Sequence, residues 1–255
     1  MKKGEILKRL HEKVFEEADM FPVQEVRIGI GYVGVRVLDD RLGLAALLLN
    51  ELPPGCSRRA DAGTLMNAPA SRLVTYLVEG KNPLEKALGL AAANAILRPD
   101  LAERKEEDTL TLMMLTPQDR VAMVGFFPPL VPKIQATGAA LSIIERDPSR
   151  MAVVGKREKK NILKTCTVAV ITATSLLNDT LEETLGSLGK PRHVAILGPS
   201  TPLCMEIFSG TPVTHLGGAV SPYTRKIMQI IGEGGGTPEM RPHLWFVNLL
   251  KGRDA

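Results

Sequence analysis

"VAILGPSTPL", residues 194–203, is the stretch whose reading decides the fold. Val194, Ala195, Ile196 and Leu197 form an apolar run of strand length, bounded by turn signals. Gly198, Pro199, Ser200, Thr201 and Pro202 then crowd together. The stretch reads as a buried strand ending at a turn. Thr201 is the expected N-cap and Pro202 the first position of a helix near Pro202–Phe208. The same alternation recurs on both sides. "VAMVG" (121–125) precedes a helix near Leu130–Ala136, and "LSIIE" (141–145) follows it. "VAVIT" (168–172) precedes a helix near Thr180–Leu188, and "VTHLG" (213–217) one near Pro222–Ile231. Short apolar strands alternating with helices mean βαβ crossovers and a mostly parallel sheet covered on both faces. Ligands of such sheets sit beyond the carboxyl ends of the strands.

The first half reads differently. Ile6, Leu7, Leu10, Val14, Phe15 and Ala18 give an opening amphipathic helix. β-branched runs broken by Gly29, Gly31, Gly34 and Asp39-Asp40 give two or three antiparallel strands. A helix over roughly Ala68–Val78 follows. "NPLE" then starts another, with Asn82 as N-cap, Pro83 first and Glu85 third, a capping-box arrangement. The charged stretch Arg98–Thr109 is the expected linker, which gives an α+β domain over 1–105 and an α/β domain over 106–255.

Composition bounds the function. Of 255 residues 44% are apolar and 24% charged, ordinary for a globular protein. Aromatics are 4% of the chain, which argues against a stacking nucleic-acid platform. The basic run "GKREKKNILK" (155–164) reads as a solvated face or as a contact for an anion or membrane surface. Cys56, Cys166 and Cys204 form no CxxC pair, and His11, His193, His215 and His243 show no metal-ligand spacing, so no metal site is expected. No signal peptide or spanning segment is visible, so a cytoplasmic protein without membrane insertion is expected.

The loops after the strands carry the candidate chemistry. After "VAMVG" comes "FFPPL", where bulk replaces the glycines a dinucleotide needs. Glu145 lies 20 residues beyond Gly125, where nucleotide folds place an acid for ribose hydroxyls; a helix cap or a surface salt bridge is the plain alternative. In "TATSLLNDTLEE", capping leaves Thr174, Ser175 and Asn178 without a structural task. The Gly198-Pro199-Ser200-Thr201-Pro202 turn meets the nucleophile-elbow pattern only in part. His215 or His243 could act as base, but Glu206, Glu233 and Glu239 are the only acids between Ser200 and His243. A helix start at Thr201 would instead present free amides to an anion. "GEGGGT" (232–237) reads as a flap carrying Glu233 or as an ordinary mobile loop. Asn94, among small apolar neighbours, caps a nearby loop or reaches into an interdomain cleft.

These segments resemble a known family, the heavy-metal chelation domain proteins. The resemblance rests on "VGFFPPL", "IIERDP", "VAVITATSLLNDTL", "ILGPSTPL" and "IIGEGGG", with "NPLEKALGLAAANAIL" in the first half. It implies an enolase N-terminal-like domain followed by a Rossmann-like domain, with a pocket between them. It places Gly125, Phe127, Glu145, Thr174, Ser175, Asn178 and Gly198 to Thr201 in that pocket, and brings Asn94 in from the first domain. It implies handling of a small metal-chelating molecule, pterin-like or siderophore-like. Three readings follow. One is an enzyme condensing or hydrolysing such an anionic molecule, with Glu145 and Ser200 as reacting groups. Another is a binding module for a metal–chelate complex. The third is a methyltransferase-like or nucleotide enzyme, which the missing glycine loop disfavours. No cofactor is indicated, and a homodimer stays open.

Overall fold

The computed structural model describes residues 1–97, 99, 108–149 and 151–252. The expected linker, and the boundary at 105/106 with it, falls almost wholly outside the described residues.

The second half builds on three apolar strands, β4 (Arg120–Val124), β6 (Val168–Thr172) and β7 (His193–Leu197). The β7 side chains are buried on both faces, and β4 and β6 nearly so. With β5 (Ala140–Ile144), β8 (His215–Val220) and β9 (Trp245–Leu250) they form a six-stranded sheet, ordered β5-β4-β6-β7-β8-β9. The first five strands run parallel. β9 had no clear signal in the sequence. It pairs antiparallel with β8, from His215 opposite Leu250 to Val220 opposite Trp245. The strand order turns back at β4: β5 lies on one side of it and β6 on the other.

The first half holds α1 (Glu5–Asp19) and an antiparallel meander of β1 (Val23–Ile28), β2 (Tyr32–Val37) and β3 (Arg41–Ala46). The expected helix over 68–78 is two single turns, α2 (Ser71–Val74) and α3 (Tyr76–Glu79). Thr75 lies between them and donates its hydroxyl to the Ser71 carbonyl (3.0 Å), a back-bond that bends helices. The helix α4 (Pro83–Ile96) starts where the capping residues place it. Glu85 N–H donates to Asn82 Oδ1 (3.0 Å), while the Glu85 carboxylate accepts from Lys81 N–H (2.6 Å). The alanines of α4 let it lie on β3 at backbone contact. A Cβ on Gly43 would stand 1.9 Å from the Ala91 carbonyl oxygen.

The remaining helices are α5 (Thr109–Met113), α6 (Val131–Ala136), α7 (Lys156–Thr165), α8 (Thr174–Leu177), α9 (Leu181–Ser187), α10 (Thr224–Gly232) and α11 (Thr237–Met240). The helix expected from Pro202 does not form. Cys204 is extended, and only a 3-10 turn follows at Met205–Phe208. Thr201 precedes a proline, which disfavours helical backbone. Its hydroxyl donates to the Gly217 carbonyl on β8 (3.0 Å) instead of capping a helix.

The two halves share one apolar core. It runs from Leu10, Val35 and Leu88 to Ile171, Ile196 and Phe208. Polar ties reinforce it. Ile6 N–H in the first turn of α1 donates to the Glu182 carboxylate of α9 (3.2 Å), and Lys86 pairs with Asp179 (2.5 Å).

Candidate functional site

A cavity of about 1470 Å³ lies along the carboxyl ends of the sheet strands. Its floor is Gly125–Leu130 after β4, Glu145–Pro148 after β5, Thr172–Ser175 after β6 and Gly198–Ser200 after β7. The first half closes it with Gly31, Tyr32 and Ala46–Glu51. It spans the point where the strand order reverses, the crevice that open α/β sheets use for ligands.

The reversal point is built on Gly125. Its φ of 87° is left-handed, and a Cβ there would lie 2.7 Å from Thr172 Cγ2 on β6. Gly125 is therefore fixed by backbone and packing together. Thr172 and Thr174 hydroxyls share a hydrogen bond (3.0 Å). Ser175 is buried and donates to the Thr172 carbonyl (2.7 Å), which gives it a structural task. Asn178, with its amide oriented to satisfy both ends, donates to the Ser175 carbonyl (3.2 Å) and to Thr180 Oγ1 (2.6 Å), and accepts from the Arg146 guanidinium. Arg146 also pairs with Glu51 from the first half (3.3 Å). Glu145 is buried, and its Oε1 accepts from the amides of Arg146 (2.7 Å) and Asp147 (3.1 Å). It holds the loop after β5 while lining the cavity. Phe127 lines it as well, with Phe126, Pro128 and Pro129.

The Gly198–Thr201 turn is a seam more than a lip. Ser200 is buried, and its Oγ accepts from Ala46 N–H (2.8 Å) at the end of β3. Asn94 donates to the carbonyls of Leu44 (2.9 Å) and Ser200 (3.2 Å), tying the halves together. Neither Asn94 nor Thr201 is among the residues that line the cavity. Gly198 (φ 123°) and Pro199 do line it, and beside Gly198 the space is open. Without a helix at Pro202, no helix N-terminus stands here; Gly198 N–H bonds the Gly217 carbonyl (2.9 Å) and Thr201 N–H the Gly198 carbonyl (2.9 Å).

Glu233 also stands away from the cavity lining, exposed and bonded to Gln229 (2.8 Å). The glycines around it are structural. Gly234 N–H bonds the Ile231 carbonyl (3.1 Å) and Gly235 N–H the Ile230 carbonyl (2.8 Å), with Gly234 left-handed. That is the Schellman ending of α10. Gly236 N–H then donates to Glu239 (2.9 Å) and opens α11. "GEGGGT" is thus a helix-to-helix joint, and its far end, Thr237, accepts or donates to the Tyr32 hydroxyl (2.7 Å).

Several lining residues had no sequence signal. Arg146, Lys133 and Arg241 bring positive charge, and Lys159 brings the one contact of the basic run with the cavity. Thr184 on α9 is 1% exposed, and its Oγ1 has no hydrogen-bond partner. Asn248 on β9 accepts from Thr109 Oγ1 (2.9 Å) and meets His215 Nε2 (2.9 Å), and His215 Nδ1 meets His193 Nε2 (3.1 Å). Burial and the neighbouring His215 and Arg192 pull His193 down to about 4. Burial pulls His215 down too, against the pull of Asn248. These histidines lie 22 residues apart and meet only because β7 and β8 pair.

Among the described residues no group of three or more His, Cys, Asp or Glu converges to hold a metal ion. The wall offers amides, hydroxyls, two guanidinium and two ammonium groups, which are donors for the oxygens of an organic molecule, beside the carboxylates of Glu51, Asp108, Glu145 and Asp147. No helix among the described residues is long and apolar enough to cross a membrane.

Comparison with known proteins agrees with this architecture. The chain is 24% identical over 220 residues to Uncharacterized protein MJ0500 of Methanocaldococcus jannaschii, covering 83% of each. Two crystal structures of proteins of unknown function from the DUF364 family share the fold. The Pyrococcus horikoshii protein superposes with a TM-score of 0.82 at 22% identity, covering 96% of this chain and all of that one. The Desulfitobacterium hafniense protein gives 0.81 at 22%, covering 97% and 98%. Family models described as "Putative heavy-metal chelation" match residues 11–97 (DUF4213) and 108–250 (DUF364). The six-stranded, mostly parallel sheet with its antiparallel companion is the fold of those structures, and the chain belongs to this heavy-metal chelation family.

Proposed function

We propose that the protein binds a small metal-chelating molecule in the cavity at the carboxyl ends of β4, β5 and β6. The observation that carries this reading is the cavity itself, about 1470 Å³ at the strand-order reversal, walled by both halves of the chain. The volume exceeds that of an ordinary drug-sized pocket. Its aromatic and proline wall at Phe126–Pro129 suits a ring or an apolar body, and Arg146, Thr174 and Asn178 suit its oxygen atoms. The core shared by both halves favours a pre-formed site.

Binding is favoured over condensation or hydrolysis by what the two expected reacting groups do. Ser200 Oγ holds a backbone amide across the seam, and Glu145 Oε1 holds two within its own loop. Both are positioned as parts of the wall.

The test is mass spectrometry of small molecules released from the purified protein, repeated on Thr174→Trp, which fills the reversal point. A stoichiometric compound with metal-binding oxygen or nitrogen donors is expected, and its loss from a Thr174→Trp protein of unchanged melting temperature. An empty protein that binds no metal–chelate complex in calorimetry would refute the reading. Conversion of the compound into a product during incubation would turn it into an enzyme.

A further inference from the structure

The β5–β6 end of the cavity holds groups that the fold does not use. Thr184 sits on α9, 1% exposed, lining the cavity with a hydroxyl that has no hydrogen-bond partner. An unsatisfied buried hydroxyl costs about 1–3 kcal/mol, so such groups call for an explanation. Thr180 stands one helical turn earlier, joined through Asn178 to the Arg146 guanidinium. Lys159 reaches the same cavity from α7, which packs on α9. It is half-buried, and it makes no ion pair or hydrogen bond with the described residues. The other cations of the wall are occupied. Arg146 pairs with Glu51, Lys133 with Asp108 (2.7 Å), and Arg241 stacks over Phe246 (5.1 Å).

We propose that this end is an oxoanion subsite, in which Lys159 and the Thr184 hydroxyl hold a carboxylate or phosphate group of the bound molecule. The inference rests on the cavity being a binding site and adds which end takes the negative charge. An oxoanion would accept the Thr184 hydrogen bond and neutralise Lys159, and the bond from Lys159 would be charge-assisted. The subsite lies at the β5 side of the sheet, away from the turn at Gly198–Thr201 where the sequence put the anion.

The experiment titrates the full chain with inorganic phosphate and, separately, with acetate, against chloride at equal ionic strength. Binding is read by calorimetry and by the amide chemical shifts of Thr184 and Lys159. Saturable binding of one oxoanion is expected, phosphate or carboxylate according to which the ligand carries. Lys159→Ala and Thr184→Val should each weaken it about tenfold, the loss of one hydrogen bond to a charged group. Thr184→Val should keep or raise the melting temperature, because the hydroxyl it removes is buried and bonds nothing in the protein. Lys160→Ala, one residue along the exposed face, should bind as the wild type does. Absence of saturable binding by both anions, or wild-type binding by both Lys159→Ala and Thr184→Val, overturns the subsite. A released molecule without an acidic group, bound equally well by Lys159→Ala, overturns it while leaving the cavity reading intact.

Discussion

Ser200 shows how a residue picked for chemistry turns out to carry structure. Its hydroxyl accepts the Ala46 amide across the seam, and its carbonyl accepts the Asn94 amide. Ser200→Ala leaves a partly buried N–H unpaired, so it should lower stability by about 1–2 kcal/mol in urea titrations. A variant of unchanged stability would mean that the hydroxyl does not hold the seam. Gly125 makes the opposite case, since its place at the cavity was legible and its reason was not. Gly125→Ala forces a left-handed alanine against Thr172 Cγ2. The expected loss is about 2 kcal/mol or more, seen as a lower melting temperature. The partners of Asn94 lie 50 and 106 residues away. No local pattern encodes such contacts.

At the scale of elements, local grammar held wherever the chain satisfied its own termini. Asn82 caps α4 from within three residues, and Asn82→Ala should cost about 1 kcal/mol. Thr201 broke the same grammar because a neighbouring strand offered its hydroxyl a buried carbonyl. Strand pairing also created the His193–His215–Asn248 chain beside α5. The groups around it are Arg192, which donates to the Met113 carbonyl of α5 (3.0 Å), Asp119, which Arg192 holds well below the usual carboxylate range, and Thr109. His193 titrates near 4 in the fold and near 6.5 when unfolded, so the unfolded chain binds the proton first. Stability should therefore be full above about pH 6.5, fall as pH drops, and level off below about 4. The full drop from this group is about 3 kcal/mol, at 1.4 kcal/mol per pKa unit. His193→Gln should flatten that slope in melting curves taken between pH 7 and 4; an unchanged slope would place the titration elsewhere.

The whole molecule behaves as one body if its core is continuous. Apolar residues of α1, β2 and α4 pack into one cluster with those of β4, β6 and β7. Glu182, Asp179, Ser200 and Asn94 add polar ties between the halves. Calorimetry should show a single cooperative transition, with calorimetric and van't Hoff enthalpies equal. Two resolved transitions would show that the halves are independent domains. A pre-formed cavity at such a seam also explains why its walls come from about eleven separate segments, each unremarkable when read alone.

Apart from β9 and the missing helix at Pro202, the sequence by itself determined most of the elements, the parallel sheet and the side of the sheet that carries the cavity. Each follows from periodicity, capping and strand–helix alternation, which are local and repeat within a few residues. The family resemblance implied a pocket bordered by Gly125, Phe127, Glu145, Thr174, Asn178 and Gly198, and these residues are among those lining the cavity. Only the tertiary structure decided that Asn94 holds the seam, that Thr201 bonds β8 in place of capping a helix, that Glu233 lies away from the cavity lining, and that Lys159, Arg146 and Thr184 line the same cavity. These facts depend on which strands become neighbours and which hydroxyls find partners. Hydrogen bonds and charges act over a few ångströms in space, whatever the distance along the chain.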